Sequence, residues 1–449
     1  MTFDFFEGAA GTGKTHNLVS RVKDLVRDGV LGESGKLLAL TYMNGARRRI
    51  EARLAAERTL RGRFECQTFD VFARTVATRR RSLLVGDAAS ALRAATLNEF
   101  DRPCYLAGVL LEKPCVQQWV SRTFPLILVD EAQDLDEHRM HVLQGLSQSC
   151  SIVAAADAFQ CLTDGRDTTP LIRWLEGAGE VHRLTQPQRT NQQGLLDAAL
   201  AVREGRDLAA IFRRTGAQRP TWVGPGFRLI EAVATNPGII ARTIAEEISY
   251  RTGDVSIISP NTTSPQVRNA LSEVGTRIWP RRGSQFGPYV FSWDRQEIEE
   301  ADDLLEGIAL PERGTHGEYL TLLGNYASHP AIASTIARMD RFRRVQGKTE
   351  FTAHEVSDFV RDFFLNQSRL GLRRHRGHLA MTIHRAKNRE FPNVIVLWPH
   401  ALHARASPEH LQRLLYNGIT RAKAHCTVIV LGQGRLNSPP FAPQADPVN

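Results

Sequence analysis

Gly8-Ala9-Ala10-Gly11-Thr12-Gly13-Lys14-Thr15 has the G-x-x-x-x-G-K-[ST] spacing of a phosphate-binding loop at every fixed position. Unpaired backbone N–H groups at a helix start, with the positive end of the helix dipole, attract phosphate oxygens, and glycines let the chain curl round them without a Cβ clash. Lys14 is placed to neutralise terminal phosphates and Thr15 to ligate Mg²⁺. Contacts to a nucleotide are expected along Gly8, Ala9, Ala10, Gly11, Thr12, Gly13, Lys14 and Thr15, and from His16 directly behind them. A second set of oxygen donors, Asp130-Glu131-Ala132-Gln133-Asp134, follows the apolar run Leu126–Val129. In a doubly wound sheet, carboxylates at the carboxyl end of a parallel strand lie beside the phosphate loop. Asp130 can then hold Mg²⁺, directly or through water, while Glu131 orients and deprotonates the attacking water. Loop and carboxylates together specify Mg²⁺-dependent hydrolysis of a nucleoside triphosphate.

The elements that must position these groups are legible around them. Thr2 to Glu7, with Phe3, Phe5 and Phe6, predicts a short buried strand, and His16 to Asp28 a helix with Leu18, Val19, Val22, Leu25 and Val26 on one face. Lys36 to Thr41 reads as a second strand, followed by a basic helix that turns Ala46, Ile50 and Leu54 inward; Phe64 to Thr68 reads as a third. Leu126–Val129 is short enough for a central parallel strand. Residues from about 78 to 118 are helical in composition but weakly patterned, and are expected to form a small insertion. The fold class is α/β.

A chain of 449 residues exceeds one core and predicts two sizeable domains. No apolar run approaches a membrane span, and residues 1–8 lack the basic-then-apolar layout of a signal peptide, so an intracellular, cytoplasmic protein is expected. Six scattered cysteines without a C-x-x-C pair predict reduced core thiols. A formal charge of +9 suits a polyanionic partner. Much of that charge is local, in Arg47, Arg48, Arg49, Arg53, Arg58, Arg61 and Arg63, then Arg79, Arg80 and Arg81.

Val129-Asp130-Glu131-Ala132-Gln133-Asp134 resembles motif II of the UvrD/PcrA/Rep group of superfamily 1 helicases, and further motifs follow in that family's order. Leu40-Thr41-Tyr42-Met43-Asn44 resembles motif Ia, with Gln67-Thr68-Phe69 similar to the segment after it. Ala156-Asp157-Ala158-Phe159-Gln160 resembles motif III, and Leu184 to Thr190 motif IV. Met381-Thr382-Ile383-His384-Arg385-Ala386-Lys387, with Glu390-Phe391-Pro392 behind it, is similar to motif V. Leu415-Tyr416 and Thr420-Arg421-Ala422-Lys423 are similar to motif VI.

The resemblance implies two RecA-like doubly wound parallel-sheet domains with reduced helical insertions, ATP and Mg²⁺ between them, and single-stranded or tailed duplex DNA running across both. The implied boundaries are 1–184, holding the insertion at about 78–118, and 185–436, holding a second at about 301–377; from Asn437 onward, Pro439, Pro440, Pro443 and Pro447 predict a loose, Pro-rich tail at 437–449. By the same resemblance, Gln160 senses the γ-phosphate, Arg189 and Arg421 act as arginine fingers, and Glu390 touches the ribose. Thr41, Tyr42, Asn44, Thr68, Phe69, Thr382 and His384 are implied to line the DNA.

Departures from the family pattern carry their own expectations. No room precedes the first strand for the glutamine motif that reads adenine, and Gln188 stands where an aromatic would stack on the base, so relaxed base selectivity is expected. Thr163 and Gly165 occupy the places of two DNA-stacking aromatics after motif III. Motif V carries Asn388 and Arg389 for the usual glycine and leucine. Both insertions are short. The resemblance therefore implies a compact DNA-dependent ATPase and single-stranded DNA translocase or helicase, 3′-to-5′ in direction. It also implies an alternative: an ATP-hydrolysing DNA sensor that licenses a partner nuclease, as in the helicase-like subunit beside an OLD-family nuclease in Gabija-type anti-phage defence.

Overall fold

The computed structural model describes residues 1–449 apart from 43, 86, 99–100, 213–220, 233–235, 262–263, 295–296, 370–376, 400–405 and 444–449. Its first sheet is built from β1 (Phe3–Gly8), β2 (Leu37–Thr41), β3 (Phe64–Thr68), β4 (Leu126–Val129), β5 (Ser151–Ala156) and β6 (Glu180–Leu184). All pair in parallel, in the order β3-β2-β4-β5-β1-β6. β2, β4 and β5 are buried along their whole length and are almost wholly apolar, because helices cover both faces of the sheet.

Helices Lys14–Arg27 and Asn44–Ala56 cover one face, packing Leu18, Val22, Leu25, Ile50 and Leu54 against Phe6, Leu37 and Leu128. The other face is covered by helices Phe69–Arg79, Asp101–Leu111, Pro114–Thr123 and Glu137–Ser147. Phe72, Val76, Ala107, Leu110, Val116 and Val142 share that core with Leu38, Ile127 and Ile152. The stretch at about 78–118, expected as an insertion, therefore supplies much of a covering layer of the first domain. Its helical pattern is weak in sequence because the buried Cys104, Ala107, Leu110 and Leu111 alternate with the half-buried apolar Tyr105, Leu106 and Val109, which blurs a single apolar stripe. Gly108 is needed where this helix crosses Glu137–Ser147: a Cβ there would lie 2.4 Å from His141 Nδ1.

The second sheet contains β7 (Thr221–Gly224), β8 (Phe227–Ala232) and β9 (Val255–Ser259). The hairpin β10 (Trp279–Arg281) and β11 (Ser284–Phe286) stands apart, before β12 (Phe291–Asp294). A ribbon of β13 (Arg313–Thr315) and β14 (Glu350–Thr352) precedes β15 (His378–Thr382), β16 (Phe391–Trp398) and β17 (Ala422–Leu431). The sheet order is β12-β15-β9-β16-β17-β8-β7, with β7 antiparallel at one edge. Helices Pro237–Ser249 and Pro265–Thr276 close one face, and Gln193–Arg203 with Pro408–Ile419 the other. Between β12 and β15, helices Glu297–Glu306, His316–Gly324, Pro330–Gln346 and Ala353–Arg369 build a small core of their own around Tyr319, Leu323, Met339, Phe351 and Val360.

The expected loose tail departs from its reading. Leu436 and Phe441 are buried, and Phe441 meets Trp398 edge-on at 5.6 Å. Its carbonyl accepts from Leu208 N at 2.8 Å. One apolar anchor outweighs the prolines around it; Pro447 lies outside the described residues. Cys104, Cys150, Cys161 and Cys426 are buried and Cys66 half-buried, but Cys115 is exposed, contrary to a uniform set of core thiols. Among the described residues no helix is long and apolar enough to cross a membrane.

Candidate functional site

The loop from Gly8 joins β1 to the helix Lys14–Arg27 at the carboxyl edge of the first sheet. Gly11 and Gly13 have φ of 83° and 86°, a region closed to most side chains, and a Cβ on Gly11 would come within 2.9 Å of Arg189 Cβ. Lys14 is 7% exposed; its ammonium donates to the carbonyls of Gly8 at 2.7 Å and Ala9 at 3.1 Å and lies 3.5 Å from Gln160 Oε1. Thr15 Oγ1 donates to Asp130 Oδ2 at 2.9 Å, tying the loop to the end of β4. A hydroxyl and carboxylates packed together are the hard oxygen donors that Mg²⁺ prefers.

Burial and the charge of Glu131 push the Asp130 carboxyl above its ordinary value. Burial would raise Glu131 too, but the ammoniums of Lys387 and Lys14 and a hydrogen bond from Gln133 outweigh it and hold this carboxyl down at about 2. Glu131 sits at φ 57°, a left-handed conformation rare for a glutamate. Gln133 fixes the side chain, donating to Glu131 Oε2 at 2.7 Å while its own Oε1 accepts from Asp157 N at 3.0 Å.

The second domain closes over this edge. A cleft of about 280 Å³ is lined by Ala10, Gly11, Gly13, Lys14, Thr15, His16, Glu131 and Gln160 from the first domain's motifs, with Arg189, Glu390 and Arg421 opposite. Arg421 is 2% exposed, and its bonds run to Asn417 O at 2.9 Å and Thr420 Oγ1 at 3.1 Å. Among the described residues it has no carboxylate partner within ion-pair distance. Burial, reinforced by the Arg189 guanidinium, draws its pKa down to about 9. Arg189 pairs with Glu390 at 2.9 Å, and Lys423 holds the other Glu390 oxygen at 2.9 Å. Burial opposes ionisation of Glu390, yet these cations hold it at about 2.

A family model for an AAA domain matches residues 4–166, the span from β1 through β5, and one for the UvrD-like helicase C-terminal domain matches residues 378–429, from β15 into β17. Together the two matches support a UvrD/PcrA-like superfamily 1 helicase. No curated protein matches the chain. At family level this makes the UvrD-like chain an ATP-using, DNA-acting enzyme.

In this UvrD-like helicase the domains are docked through a buried ion pair: Lys387 Nζ lies 2.6 and 2.7 Å from the two oxygens of Asp134. Breaking such a pair by removing one partner typically costs about 3–5 kcal/mol. Arg49 adds a second tie, donating to Asn388 O at 2.7 Å. Asn388 has φ 64°, so the backbone keeps a left-handed turn at the place of the usual glycine, which asparagine tolerates. Arg49, Arg53, Gln188 and Lys423 also line the cleft. The sequence places Arg49 and Arg53 in a polyanion-binding cluster; their helix packs beside Lys14–Arg27 on the same sheet face, which sets Arg49 4.0 Å from Asp130 at the nucleotide loop.

The residues expected along the DNA lie at strand ends of both domains, with different exposures. Thr41 ends β2 and is buried; Thr68 ends β3 and caps the next helix by accepting from Val71 N. Tyr42 is half-buried beneath Arg139, whose guanidinium lies 5.5 Å from the ring centroid. Phe69 is 1% exposed within the core of the first domain, so its ring is not on the surface. Thr382 caps Ile383–Ala386, and His384 is exposed beyond it. The side chain of Asn44 and all of Met43 lie outside the described residues. A second cavity of about 670 Å³ adjoins the loop, lined by Thr12, His16, Asn17, Thr185, Gln186 and Gln188 among others.

Proposed function

We propose that the chain hydrolyses ATP between its two RecA-like domains and uses it to translocate 3′-to-5′ along single-stranded DNA. The observation that carries the reading is Arg421, a buried guanidinium that faces the phosphate loop across the cleft with no carboxylate within ion-pair distance among the described residues. A buried cation is costly unless paired, and a nucleotide phosphate is the partner this geometry suits. Lys14 would hold the terminal phosphates, Arg189 and Arg421 would stabilise charge developing on the transferring group, and Gln160, 3.5 Å from Lys14, would report its presence. Thr15 and Asp130 would hold Mg²⁺, which supplies charge neutralisation on the phosphates. Glu131, ionised through the neutral pH range, would take the proton of the attacking water. Glu390 would turn from Arg189 to the ribose. Tyr42, Thr382 and His384 would guide the DNA.

Single-stranded DNA should stimulate ATP turnover, with affinity falling as salt rises because each neutralised phosphate contributes about −0.7 to the slope of log K against log salt. Arg47 and Arg48 are the residues to neutralise, since Arg53 lines the nucleotide cleft. Turnover indifferent to DNA at low salt would refute the reading. Unwinding of duplexes tailed at the 3′ or the 5′ end tests direction.

GTP should compete with ATP to within about tenfold, because carboxamides such as Gln186 and Gln188 offer both donor and acceptor and fit either purine edge. Among the described residues lining that cavity there is no Phe, Tyr or Trp, and the imidazole of His16 is the ring present. Competition binding that shows a preference for ATP above about a hundredfold would sink this expectation.

A second reading, a DNA-responsive switch that licenses a partner nuclease with little unwinding of its own, is favoured by the surface after motif III. Thr163 and Gly165 are exposed and carry no ring, and a base-stacking contact is worth about 1–3 kcal/mol. Gly165 has φ 70°, which strains any replacement, so the informative substitution is Thr163→Tyr. It should raise base pairs unwound per ATP. Processive unwinding by the unaltered chain alone would discard the switch.

A further inference from the structure

Arg203 ends the helix Gln193–Arg203 of the second domain and lies outside every motif singled out in the sequence. Its Nη1 donates to Asp157 Oδ1 at 2.9 Å and to the Tyr416 hydroxyl at 3.3 Å. The guanidinium also lies 5.4 and 5.7 Å from the ring centroids of Phe159 and Tyr416. Tyr416 Oη in turn accepts from Ala10 N of the phosphate loop at 2.9 Å.

Asp157 carries the rest. Its side chain has no exposed surface, and among the described residues Arg203 is the cation within ion-pair distance of it. Oδ1 also accepts from Phe159 N at 3.2 Å, capping the turn Ala158–Gln160 that presents Gln160 to Lys14. Its backbone N–H is held by Gln133, the residue that fixes Glu131. Glu131, Gln133, Asp157, Arg203, Tyr416 and Ala10 thus form one chain of hydrogen bonds, running from the expected base to the phosphate loop by way of the second domain.

We propose that Arg203 is a positioning residue that makes hydrolysis depend on docking of the two domains. With the domains docked, Arg203 neutralises Asp157 and the turn holding Gln160 is fixed from both sides. With them apart, Asp157 loses its counter-charge, and the turn loses one of its two supports. Asp157 Oδ2 is buried without a hydrogen-bond partner among the described residues, so the guanidinium has a second oxygen to engage as the cleft tightens. Signals from DNA that alter domain docking would reach Gln160 and Glu131 by this route. The inference rests on the ATPase reading above.

The test uses the full chain and steady-state ATP hydrolysis, with turnover counted per nucleotide-binding site. Arg203→Ala should lower kcat by about tenfold to a hundredfold, leave KM within about threefold, and be partly rescued by Arg203→Lys. In a double-mutant cycle, adding Asp157→Asn to Arg203→Ala should slow turnover little further, since both remove one interaction. A packing role would lower the folded fraction rather than kcat per site, and its effects would multiply. An unchanged kcat, multiplicative effects, or a loss confined to KM would each overturn the proposal. Should Arg203→Ala not fold, Arg203→Lys and Tyr416→Phe keep the bulk and each alter one link; wild-type kcat in both overturns it equally. Lys14→Ala separates the two levels. Undiminished turnover there refutes the ATPase reading, whereas loss there with normal turnover in Arg203→Ala refutes this inference alone.

Discussion

Arg421→Ala should lower ATP turnover by about 10³–10⁵-fold, the range in which arginine fingers act on phosphoryl transfer. The guanidinium is already buried against the cleft, so little reorganisation is needed when charge develops on the transferring group. Arg421→Lys should recover only part of the loss, because a point charge does not reproduce the planar fork. Burial and the Arg189 guanidinium disfavour its charge in the nucleotide-free protein, and a bound phosphate would relieve that cost. Steady-state hydrolysis counted per nucleotide-binding site reads the loss. Turnover in Arg421→Ala within tenfold of wild type would remove Arg421 from the nucleotide site.

Glu131→Gln should slow hydrolysis by about 10²–10⁴-fold while nucleotide remains bound, since the substitution removes the base and spares Thr15 and Asp130. Gln133 donates to Glu131 Oε2, so the introduced amide keeps this bond by turning its carbonyl oxygen toward Gln133. Lys14→Ala provides the contrast, losing binding and turnover together because phosphate charge at the loop is left uncompensated. Equilibrium binding of a fluorescent ATP analogue separates the two. A Glu131→Gln protein that fails to bind nucleotide would assign this carboxylate another role.

The sequence by itself determined what is local. The strand, loop and helix around Gly8 to Thr15 declare themselves because apolar periodicity, glycine spacing and the Lys-Thr pair all lie within one short stretch. The carboxylates after Leu126–Val129 are legible for the same reason: an apolar run that ends in acids places those acids at a strand's carboxyl edge. The α/β class follows from such units in series. Elements that are apolar around most of their surface, such as Asp101–Leu111 with Tyr105, Leu106 and Val109 beside its buried stripe, escape this logic, since their pattern has little period to read.

Only the tertiary structure decided how distant residues meet. Phe69 belongs to a core that forms when helices from residues 69–147 stack on one sheet face, and no local signal tells such a ring from one facing DNA. Arg49 and Arg53 look like any basic helix until that helix packs beside Lys14–Arg27 on one sheet face, and Lys387 finds Asp134 across 253 positions. Arg203 is indistinguishable in sequence from an ordinary last-turn cation, favoured there by the helix dipole. Its link to Asp157, Tyr416 and the phosphate loop exists because two domains, each folded on local pattern, bury charge between them, and buried charge must find its partner wherever docking puts it.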